Sequence, residues 1–290
     1  MQYRKFGKLD WQVSALGFGC MRFPVIDGKS GNIDMEKATE MIHTAIEAGV
    51  NYYDTAFGYH EQQSEVALGK VLAGGYRERV HIATKSPIWL IHESGDFDRL
   101  LDQQLQRLQT SSVDFYLLHA LNREHWAKAQ QFDLLRRAEA AKADGRIRHF
   151  GFSFHDNLET FKQIVDGYGA WDFCQIQYNY MDTDYQAGME GLQYAAARGL
   201  AVSFMEPLQG GKLARDLPAT RPLWESAAVK RSPADWALQW LWNQPEVAMV
   251  LSGMSTLEQV EQNVRSASAS GIGMLSAEEV KLVEQVREVV

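Results

Sequence analysis

The chain carries the stretch Asp54-Thr55-Ala56-Phe57-Gly58-Tyr59 at the end of a short strand-like run. Two further runs of the same kind end in Ala83-Thr84-Lys85 and in Leu117-Leu118-His119. An acid, a phenol, a cation and an imidazole therefore follow consecutive predicted strands. Because the carboxyl ends of parallel strands meet at one face of a barrel, this spacing predicts that the four side chains converge.

Strand-like and helix-like runs alternate along the chain, which is typical of parallel α/β folds. No break in composition divides the chain into halves. The first strand leads into Leu16-Gly17-Phe18-Gly19-Cys20-Met21, which lacks the third glycine and the following helix of a dinucleotide-binding fingerprint. We therefore predict a single α/β domain over residues 1–290, a (β/α)8 TIM barrel rather than a doubly wound sheet. The predicted strands are Val13–Gly19, Val50–Ala56, Val80–Lys85, Val113–His119, Ile147–Ser153, Phe173–Asn179, Leu200–Glu206 and Ala248–Gly253.

The segments between the strands have helical periodicity, for example Met35–Ala48 and Phe97–Leu108. We predict that Tyr3–Leu16 forms an N-terminal hairpin on the barrel floor and that Ser276–Val290 adds a C-terminal helix. Residues Gln209–Arg231 are predicted to be a long irregular insert. A loop of that length after a barrel strand more often has a function than serves only as a connection.

Three serines are placed as helix N-caps. Ser232 precedes Pro233, which suits the first helical position. Ser255 and Ser276 each stand three residues before a glutamate, in the pattern of a capping box.

Composition narrows the classes of partner. The chain of 290 residues is 46% hydrophobic and 23% charged, with a net charge of −8 and scattered basic residues. These values are ordinary for a globular protein and argue against a nucleic-acid or anionic-membrane partner. The two cysteines, Cys20 and Cys174, are predicted to be buried thiols, and the absence of CxxC and HExxH patterns argues against a metal centre. With no signal-type or membrane-spanning run, we expect a cytoplasmic location.

The four polar residues suit proton transfer to a carbonyl oxygen. A free phenol is a poor acid at neutral pH, and an ammonium within hydrogen-bond reach lowers its pKa. We therefore expect Lys85 to activate Tyr59, Asp54 to hold Lys85, and His119 to point at the same carbonyl oxygen. Any one of them alone is more often structural, but four at successive strand ends favour a catalytic interpretation.

Several further motifs accompany this tetrad, and together they resemble the aldo-keto reductase family over nearly the whole chain. The resemblance implies a (β/α)8 fold and reversible NAD(P)H-dependent reduction of a carbonyl. It assigns Tyr59 as general acid, Asp54 and Lys85 as its tuning groups, and His119 as the residue that orients the substrate. The motifs are Gly58-Tyr59-His60, Ser64-Glu65, Gly151-Phe152-Ser153, Gln175-Ile176-Gln177-Tyr178-Asn179 and Glu206-Pro207-Leu208.

The resemblance also implies residues for the nicotinamide and pyrophosphate. Ser153 and Gln177 match positions that hold the carboxamide, although Phe154 stands where the family usually has Asn. Met205 replaces the stacking aromatic of many members; a thioether can cover a ring face, and core filler is an equal interpretation. The remaining expected contacts in this part are Gly19, Met21, Pro207, Leu208, and the pyrophosphate loop Gly210, Gly211 and Lys212.

The adenosine end is expected at the helix that opens after the last strand, where free N–H groups suit a phosphate. Many members carry a Lys and an Arg there for a 2′-phosphate, whereas this chain has Gly253 and Gln259, with Glu258 between them. The lack of basic residues at these positions weakens the case for NADP(H), but the family resemblance still favours NADP(H) slightly over NAD(H). The expected contacts are Ser252, Gly253, Met254, Gln259, Gln262 and Asn263.

The substrate is left open by the sequence. Trp89, Trp126 and Trp224 are candidate walls of a pocket for an apolar aldehyde, a ketone or a sugar ring, although for each one alone the packing of a loop onto the barrel is the favoured interpretation. An alternative function is a nucleotide-binding redox-sensor subunit on the same barrel. A hydrolase with a carboxylate pair is a third, but Asp54 has only Glu206 as an acidic mate at another strand end.

The variants around Met205 and Ser252-Gly253-Met254 resemble one branch of the family, whose members often continue into a cysteine-rich, ferredoxin-like tail. This sequence shows no such cysteines up to Val290. An iron–sulfur partner or a lost tail domain is left open.

Overall fold

The computed structural model describes residues 1–289, and within them eight parallel strands close into a barrel. The barrel order follows the chain from β3 to β10, and β10 pairs with β3 to complete the circle. The predicted (β/α)8 fold is confirmed. The strands are β1 Tyr3–Lys5, β2 Gln12–Ser14, β3 Leu16–Gly19, β4 Tyr52–Asp54, β5 His81–Ser86, β6 Val113–Leu121, β7 Ile147–Phe154, β8 Phe173–Gln177, β9 Ala201–Met205 and β10 Met249–Gly253.

Eleven α-helices lie among the described residues, most of them outside the barrel wall, together with four 3-10 turns. The turns are Cys20–Arg22, Arg77–Arg79, Ile88–Leu90 and Gln209–Ala214. The helices are α1 Met35–Glu47, α2 Ser64–Val71, α3 Asp96–Leu108, α4 Arg123–Gln131, α5 Leu134–Ala143, α6 Leu158–Gly167, α7 Gly188–Ala197, α8 Arg221–Ser226, α9 Pro233–Trp242, α10 Leu257–Ser268 and α11 Ala277–Val289.

The N-terminal hairpin of β1 and β2 closes the floor of the barrel, as predicted. Phe6 is fully buried and meets Tyr52 and Phe115 edge-on, with ring centroids 6.0 and 5.8 Å apart. Gly7, at φ +55°, lies so close to Ala201 that an added Cβ would stand 2.3 Å from the Ala201 amide nitrogen. Glycine is therefore required where the hairpin meets the barrel.

Two predicted segments differ from the structure near the ends of the barrel. The run Val13–Gly19 is not one strand, because Gln12–Ser14 pairs with the hairpin and only Leu16–Gly19 enters the barrel. The insert Gln209–Arg231 is not wholly irregular, since it contains the turn Gln209–Ala214 and helix α8. Trp224 of α8 stacks on Trp236 of α9 at 5.3 Å, so the insert has its own apolar core.

The predicted C-terminal helix is present as α11. Ser276 caps it reciprocally: the amide of Glu279 donates to the Ser276 hydroxyl at 3.2 Å, and the amide of Ser276 donates to the Glu279 carboxylate at 2.9 Å. Its apolar face, which includes Val283 and Val286, packs on the cluster around Trp224. Val290, the last residue of the prediction, lies outside the described residues.

Candidate active site

The barrel brings the four predicted residues together at the carboxyl ends of β4, β5 and β6. Asp54 is the last residue of β4, and its Oδ1 lies 2.5 Å from the Nζ of Lys85 in β5. The same Nζ lies 3.3 Å from the Tyr59 hydroxyl, which stands in the loop after β4. The ring of Tyr59 meets the ring of His119 edge-on at 6.1 Å.

Lys85 uses all three of its N–H groups. The side chain is fully buried and donates to Asp54 Oδ1, to the Thr55 carbonyl at 2.8 Å and to the Tyr59 hydroxyl oxygen. Since an ammonium group has three donors and no acceptor, Tyr59 receives this hydrogen bond and cannot return one. The proton of Tyr59 is therefore free to point away from Lys85.

The Asp54 carboxylate is held from both sides. Its second oxygen, Oδ2, accepts a hydrogen bond of 3.0 Å from the side-chain amide of Gln175, a buried residue of β8. Gln175 thus fixes Asp54 from across the barrel, and Asp54 in turn fixes Lys85. This contact was not predicted from the sequence.

The acid strength of Tyr59 differs from the prediction. Burial raises the pKa of Tyr59, and the charge and hydrogen bond of Lys85 oppose this without cancelling it, so the pKa lies above its ordinary value. Burial also lowers the pKa of Lys85, but Asp54 and Tyr59 outweigh that and the pKa of Lys85 is raised. In the free protein Tyr59 is a neutral phenol beside a charged ammonium.

His119 is neutral in this setting. Burial and then the charge of Lys85 lower the pKa of His119 well below its ordinary value. Its Nδ1 atom is buried without a hydrogen-bond partner, so a hydrogen bond from this ring to a substrate would come from Nε2.

A backbone distortion sets the position of His119. The strand does not end at His119 as predicted but continues to Leu121, and its register shifts between Leu118 and Leu121. Ala120 has φ +54°, a conformation that an L-residue adopts only when its surroundings enforce it. The Ala120 amide donates to the Ser153 hydroxyl and its carbonyl accepts from His125 Nδ1, both at 2.7 Å.

A cavity of about 480 Å³ runs from the tetrad to the start of α10. Asp54 and Tyr59 stand at one end of it and Gln259 at the other. Most of the predicted cofactor contacts line it: Gly19, Met21, Met205, Pro207, Leu208, Gly210, Gly211, Ser252, Gly253, Gln259, Gln262 and Asn263.

Four predicted cofactor contacts do not line this cavity. Ser153 is buried and accepts the Ala120 amide, and Met254 is fully buried in the hydrophobic core. Lys212 is exposed and borders a smaller space beside Trp224. Gln177 donates its side-chain amide to Asp182 Oδ2 at 3.1 Å.

The cavity is also lined by residues that were not predicted as cofactor contacts, among them Gln175 and Arg22. Gln175 lies two residues before Gln177 in the same strand, so both face one side of the sheet, but only Gln175 lines the cavity. Arg22 is the one cation among the lining residues within 1–289. Its side chain would contact a Cβ at Gly253 at 3.1 Å, and its Nη2 lies 3.7 Å from where a Cβ at Gly210 would stand.

The glycines of the cavity wall suit a ligand that approaches the backbone closely. Gly210 and Gly211 have φ of 66° and 92°, which turns the chain sharply after β9. Gly210 stands beside the guanidinium of Arg22, which supplies a positive charge there, and the Glu206 carboxylate lies equally near. An elongated cavity with one cation beside a glycine turn fits a dinucleotide with its pyrophosphate at this turn.

The start of α10 is built differently from the prediction. Thr256, not Ser255, is the N-cap, and its hydroxyl accepts the amide of Gln259 at 3.2 Å. The Gln259 side chain accepts the amide of Ser255 at 2.8 Å, and the buried Asn263 donates to the Ser252 hydroxyl at 3.0 Å. These contacts fix the far end of the cavity without adding a cation.

The three candidate substrate tryptophans have different surroundings. Trp89 is 41% exposed, and its ring lies 5.1 Å from the ring of His119. Trp126 is buried against Trp171, at 6.2 Å between rings, and Trp224 packs in the core of the insert. Of the three, the structure brings only Trp89 to the catalytic residues.

Within residues 1–289, no group of three or more His, Cys, Asp or Glu side chains is arranged to hold a metal ion. Over the same residues, no helix is both long and apolar enough to cross a bilayer.

The sequence model described as the Aldo/keto reductase family matches residues 15–288. The chain belongs to the aldo/keto reductase family. The resemblance inferred from the tetrad is therefore confirmed, and this aldo-keto reductase is an NAD(P)H-dependent oxidoreductase.

Curated relatives match along nearly their whole length. The chain is 27% identical to the uncharacterized oxidoreductase YqkF of Bacillus subtilis, over 98% of this chain and 96% of the relative. It is 26% identical to the L-galactose dehydrogenase of Arabidopsis thaliana, over 99% and 95%. It is 24% identical to the NADH-specific methylglyoxal reductase of Escherichia coli, over 97% of each chain.

Solved structures share the fold. The holo form of the aldo-keto reductase AKR11C1 from Bacillus halodurans superposes with a TM-score of 0.80 at 26% identity, over 99% of this chain and 96% of that one. An aldo-keto reductase from Klebsiella pneumoniae in complex with NADPH gives a TM-score of 0.74 at 21% identity, over 99% and 95%.

Proposed function

We propose that this aldo-keto reductase reduces an aldehyde or ketone to an alcohol, with Tyr59 as the proton donor. The observation that carries the proposal is that all three N–H donors of Lys85 are used, in hydrogen bonds to Asp54, Thr55 and Tyr59. This leaves the Tyr59 proton as the one that a carbonyl oxygen in the cavity would meet. The nicotinamide, when bound, supplies the hydride.

Each catalytic residue has a separate task in this mechanism. As the substrate oxygen gains negative charge, Tyr59 delivers its proton, and the adjacent Lys85 ammonium stabilises the phenolate that remains. Asp54 and Gln175 keep Lys85 in place and charged. His119 is neutral and donates a second hydrogen bond to the same oxygen without competing as an acid.

The cavity residues support a nicotinamide dinucleotide along the strand ends. Met205, Gln175 and Gly19 lie at the catalytic end, the Gly210–Gly211 turn with Arg22 suits the pyrophosphate, and Gln259 stands at the adenosine end.

Of the two nucleotides, the family resemblance favours NADP(H), and NADP(H) is therefore our first expectation. NAD(H) is the alternative, because no cation other than Arg22 lines the cavity among the described residues, and Glu258 follows Thr256 at the start of α10. The name of the E. coli relative states NADH specificity.

The substrate pocket lies between Tyr59, His119 and Trp89. The exposed indole of Trp89, 5.1 Å from the His119 ring, supports a flat or apolar carbonyl compound as substrate. An aromatic aldehyde is therefore one test substrate. Methylglyoxal, the substrate in the name of the E. coli relative, is the second.

The proposal is tested by titrating the purified protein with NADPH and with NADH, following the quenching of tryptophan fluorescence. Oxidation of the bound nucleotide is then followed after addition of each aldehyde. Saturable binding and turnover support the proposal, and the ratio of the two affinities decides the cofactor. Binding without turnover on any carbonyl would instead favour the redox-sensor alternative, and no binding of either nucleotide would refute both.

A further inference from the structure

The side chain of Asp182 joins the loop after β8 to the loop after β9. Its Oδ2 atom accepts three amide hydrogen bonds, from Gln177 at 3.1 Å, from Asn179 at 3.0 Å and from Gln209 at 3.2 Å. No cation lies within ion-pair distance of it among residues 1–289. The negative charge is therefore balanced by amide donors alone, and charge-assisted hydrogen bonds are the stronger kind.

The three donors come from two separate segments of the chain. Gln177 ends β8 and Asn179 follows it, whereas Gln209 lies in the loop after β9. The Asn179 side chain also accepts the amide of Asp182 at 3.0 Å and donates to the carbonyl of Glu206 at 3.0 Å. Asn179 is fully buried, so this connection has a fixed base in the protein.

The loop that receives these bonds has an unfavourable backbone. Glu206 and Gln209 have φ of 56° and 46°, and Gly210 and Gly211 follow with φ of 66° and 92°. Non-glycine residues hold such angles only where the surroundings over-determine them. The bonds from Asn179 to Glu206 and from Gln209 to Asp182 supply that restraint.

We infer that Asp182 is a positioning residue for nicotinamide-nucleotide binding, acting on residues 206–211 through Gln209. The inference rests on the proposed function, because that loop forms the cavity wall where the pyrophosphate is placed. Asp182 and Gln209 themselves do not line the cavity. Their effect on the nucleotide is therefore indirect, through the shape of the loop.

The test is a double-mutant cycle of Asp182→Asn and Gln209→Ala, read by the dissociation constant of NADPH and of NADH. Loss of one charge-assisted hydrogen bond corresponds to a weakening of about 10-fold. We expect a loss of about that size in each single variant. The double variant should bind no more weakly than the weaker single one, because both changes act on the loop through the hydrogen bond from Gln209 to Asp182. The substrate KM at saturating nucleotide should change less than 3-fold, because the loop that Asp182 restrains is placed against the nucleotide and not against the substrate.

Asp184→Asn is the matched control. Asp184 lies two residues along the same loop and its side chain is 90% exposed. It makes a long ion pair of 3.8 Å with Arg287 and accepts a hydrogen bond of 3.3 Å from the adjacent Thr183 hydroxyl, and neither contact reaches residues 206–211. It should bind nucleotide as the parent does. Dissociation constants unchanged in both single variants, or additive losses in the double variant, would overturn the inference.

A second readout separates this inference from the proposed function. Amide hydrogen exchange of residues 206–214 in the nucleotide-free protein should rise in Asp182→Asn and Gln209→Ala, and stay unchanged in Asp184→Asn. Unchanged exchange in the first two would overturn the restraint itself. If the parent binds neither nucleotide, the proposed function and the cofactor role fall together, while the exchange data still decide whether Asp182 holds the loop.

Discussion

Replacing Lys85 by Met is expected to leave a buried carboxylate without its cation. The Lys85 side chain is fully buried and that of Asp54 is 5% exposed, so water cannot replace the lost ammonium. Asp54 would keep only the amide of Gln175. Removing one partner of a buried ion pair costs about 3–5 kcal/mol. We expect a decrease of that size in the free energy of unfolding, and a fall in melting temperature on the order of 10 °C.

The variant Asp54→Asn/Lys85→Met separates the charge from the packing. It removes both charges and keeps an amide oxygen that can accept from Gln175. Replacing both partners of a buried pair is far less costly than removing one, so the double variant should recover more than half of the lost stability. Neither variant should reduce a carbonyl, because both lack the cation that stabilises the Tyr59 phenolate.

Urea unfolding followed by tryptophan fluorescence measures this difference. Lys70→Met is the control, because Lys70 is exposed on α2, and surface changes of this kind are usually worth within about 0.5 kcal/mol. A Lys85→Met variant as stable as the parent would refute the account of a buried ion pair. A double variant less stable than Lys85→Met would refute it equally.

Three further outcomes are expected. Gln259→Arg should raise the preference for NADPH over NADH about 10-fold by adding a cation at the adenosine end; equal ratios in variant and parent would place that end elsewhere. Burial raises the pKa of Asp114, but contacts with His81 and Arg77 outweigh this and lower the pKa to about 2. Asp114→Asn should therefore lower the free energy of unfolding by about 2 kcal/mol at neutral pH, and this loss should shrink as pH falls through about 4 toward 2. Because the pKa of His119 is lowered well below 6.5, kcat/KM for reduction should show no break between about pH 6 and pH 8, and a break near the ordinary histidine pKa would contradict its neutral state.

Local pattern was enough to predict the barrel. Each strand is a short apolar run whose residue types and flanking turns mark it without knowledge of its neighbours. Two of the three proposed helix caps, Ser232 and Ser276, were confirmed because a cap depends on residues only three positions away. The third was displaced by one residue to Thr256, since either hydroxyl fits the pattern.

The convergence of the tetrad could be predicted because strand order fixes which side chains are neighbours. The acid strength of Tyr59 could not, because burial opposes the effect of Lys85 and burial is a property of the whole site. Gln175, Arg22 and Asp182 were missed for a related reason. Their partners lie on distant parts of the chain, at separations such as 121 residues between Gln175 and Asp54, and no local signal records them.

The predicted cofactor contacts differ in whether the structure brings them to the cavity. Gly210 and Gly211 were assigned to a pyrophosphate loop from the family resemblance, and the structure gives both a positive φ. Gln177 and Lys212 were also assigned to the cofactor on motif position, but neither lines the cavity: Gln177 donates to Asp182, and Lys212 borders a separate space beside Trp224. Motif position specifies the strand or loop, whereas packing decides which side chain reaches the cavity.

The central claim is that the Tyr59 hydroxyl delivers the proton, and Tyr59→Phe tests it most directly. The measurement is the single-turnover rate of nucleotide oxidation at saturating reduced cofactor with the best carbonyl substrate, together with the dissociation constant of the cofactor. The account predicts that binding stays within about 2-fold while the rate falls by at least about 100-fold. A rate comparable with that of the parent would contradict the assigned role.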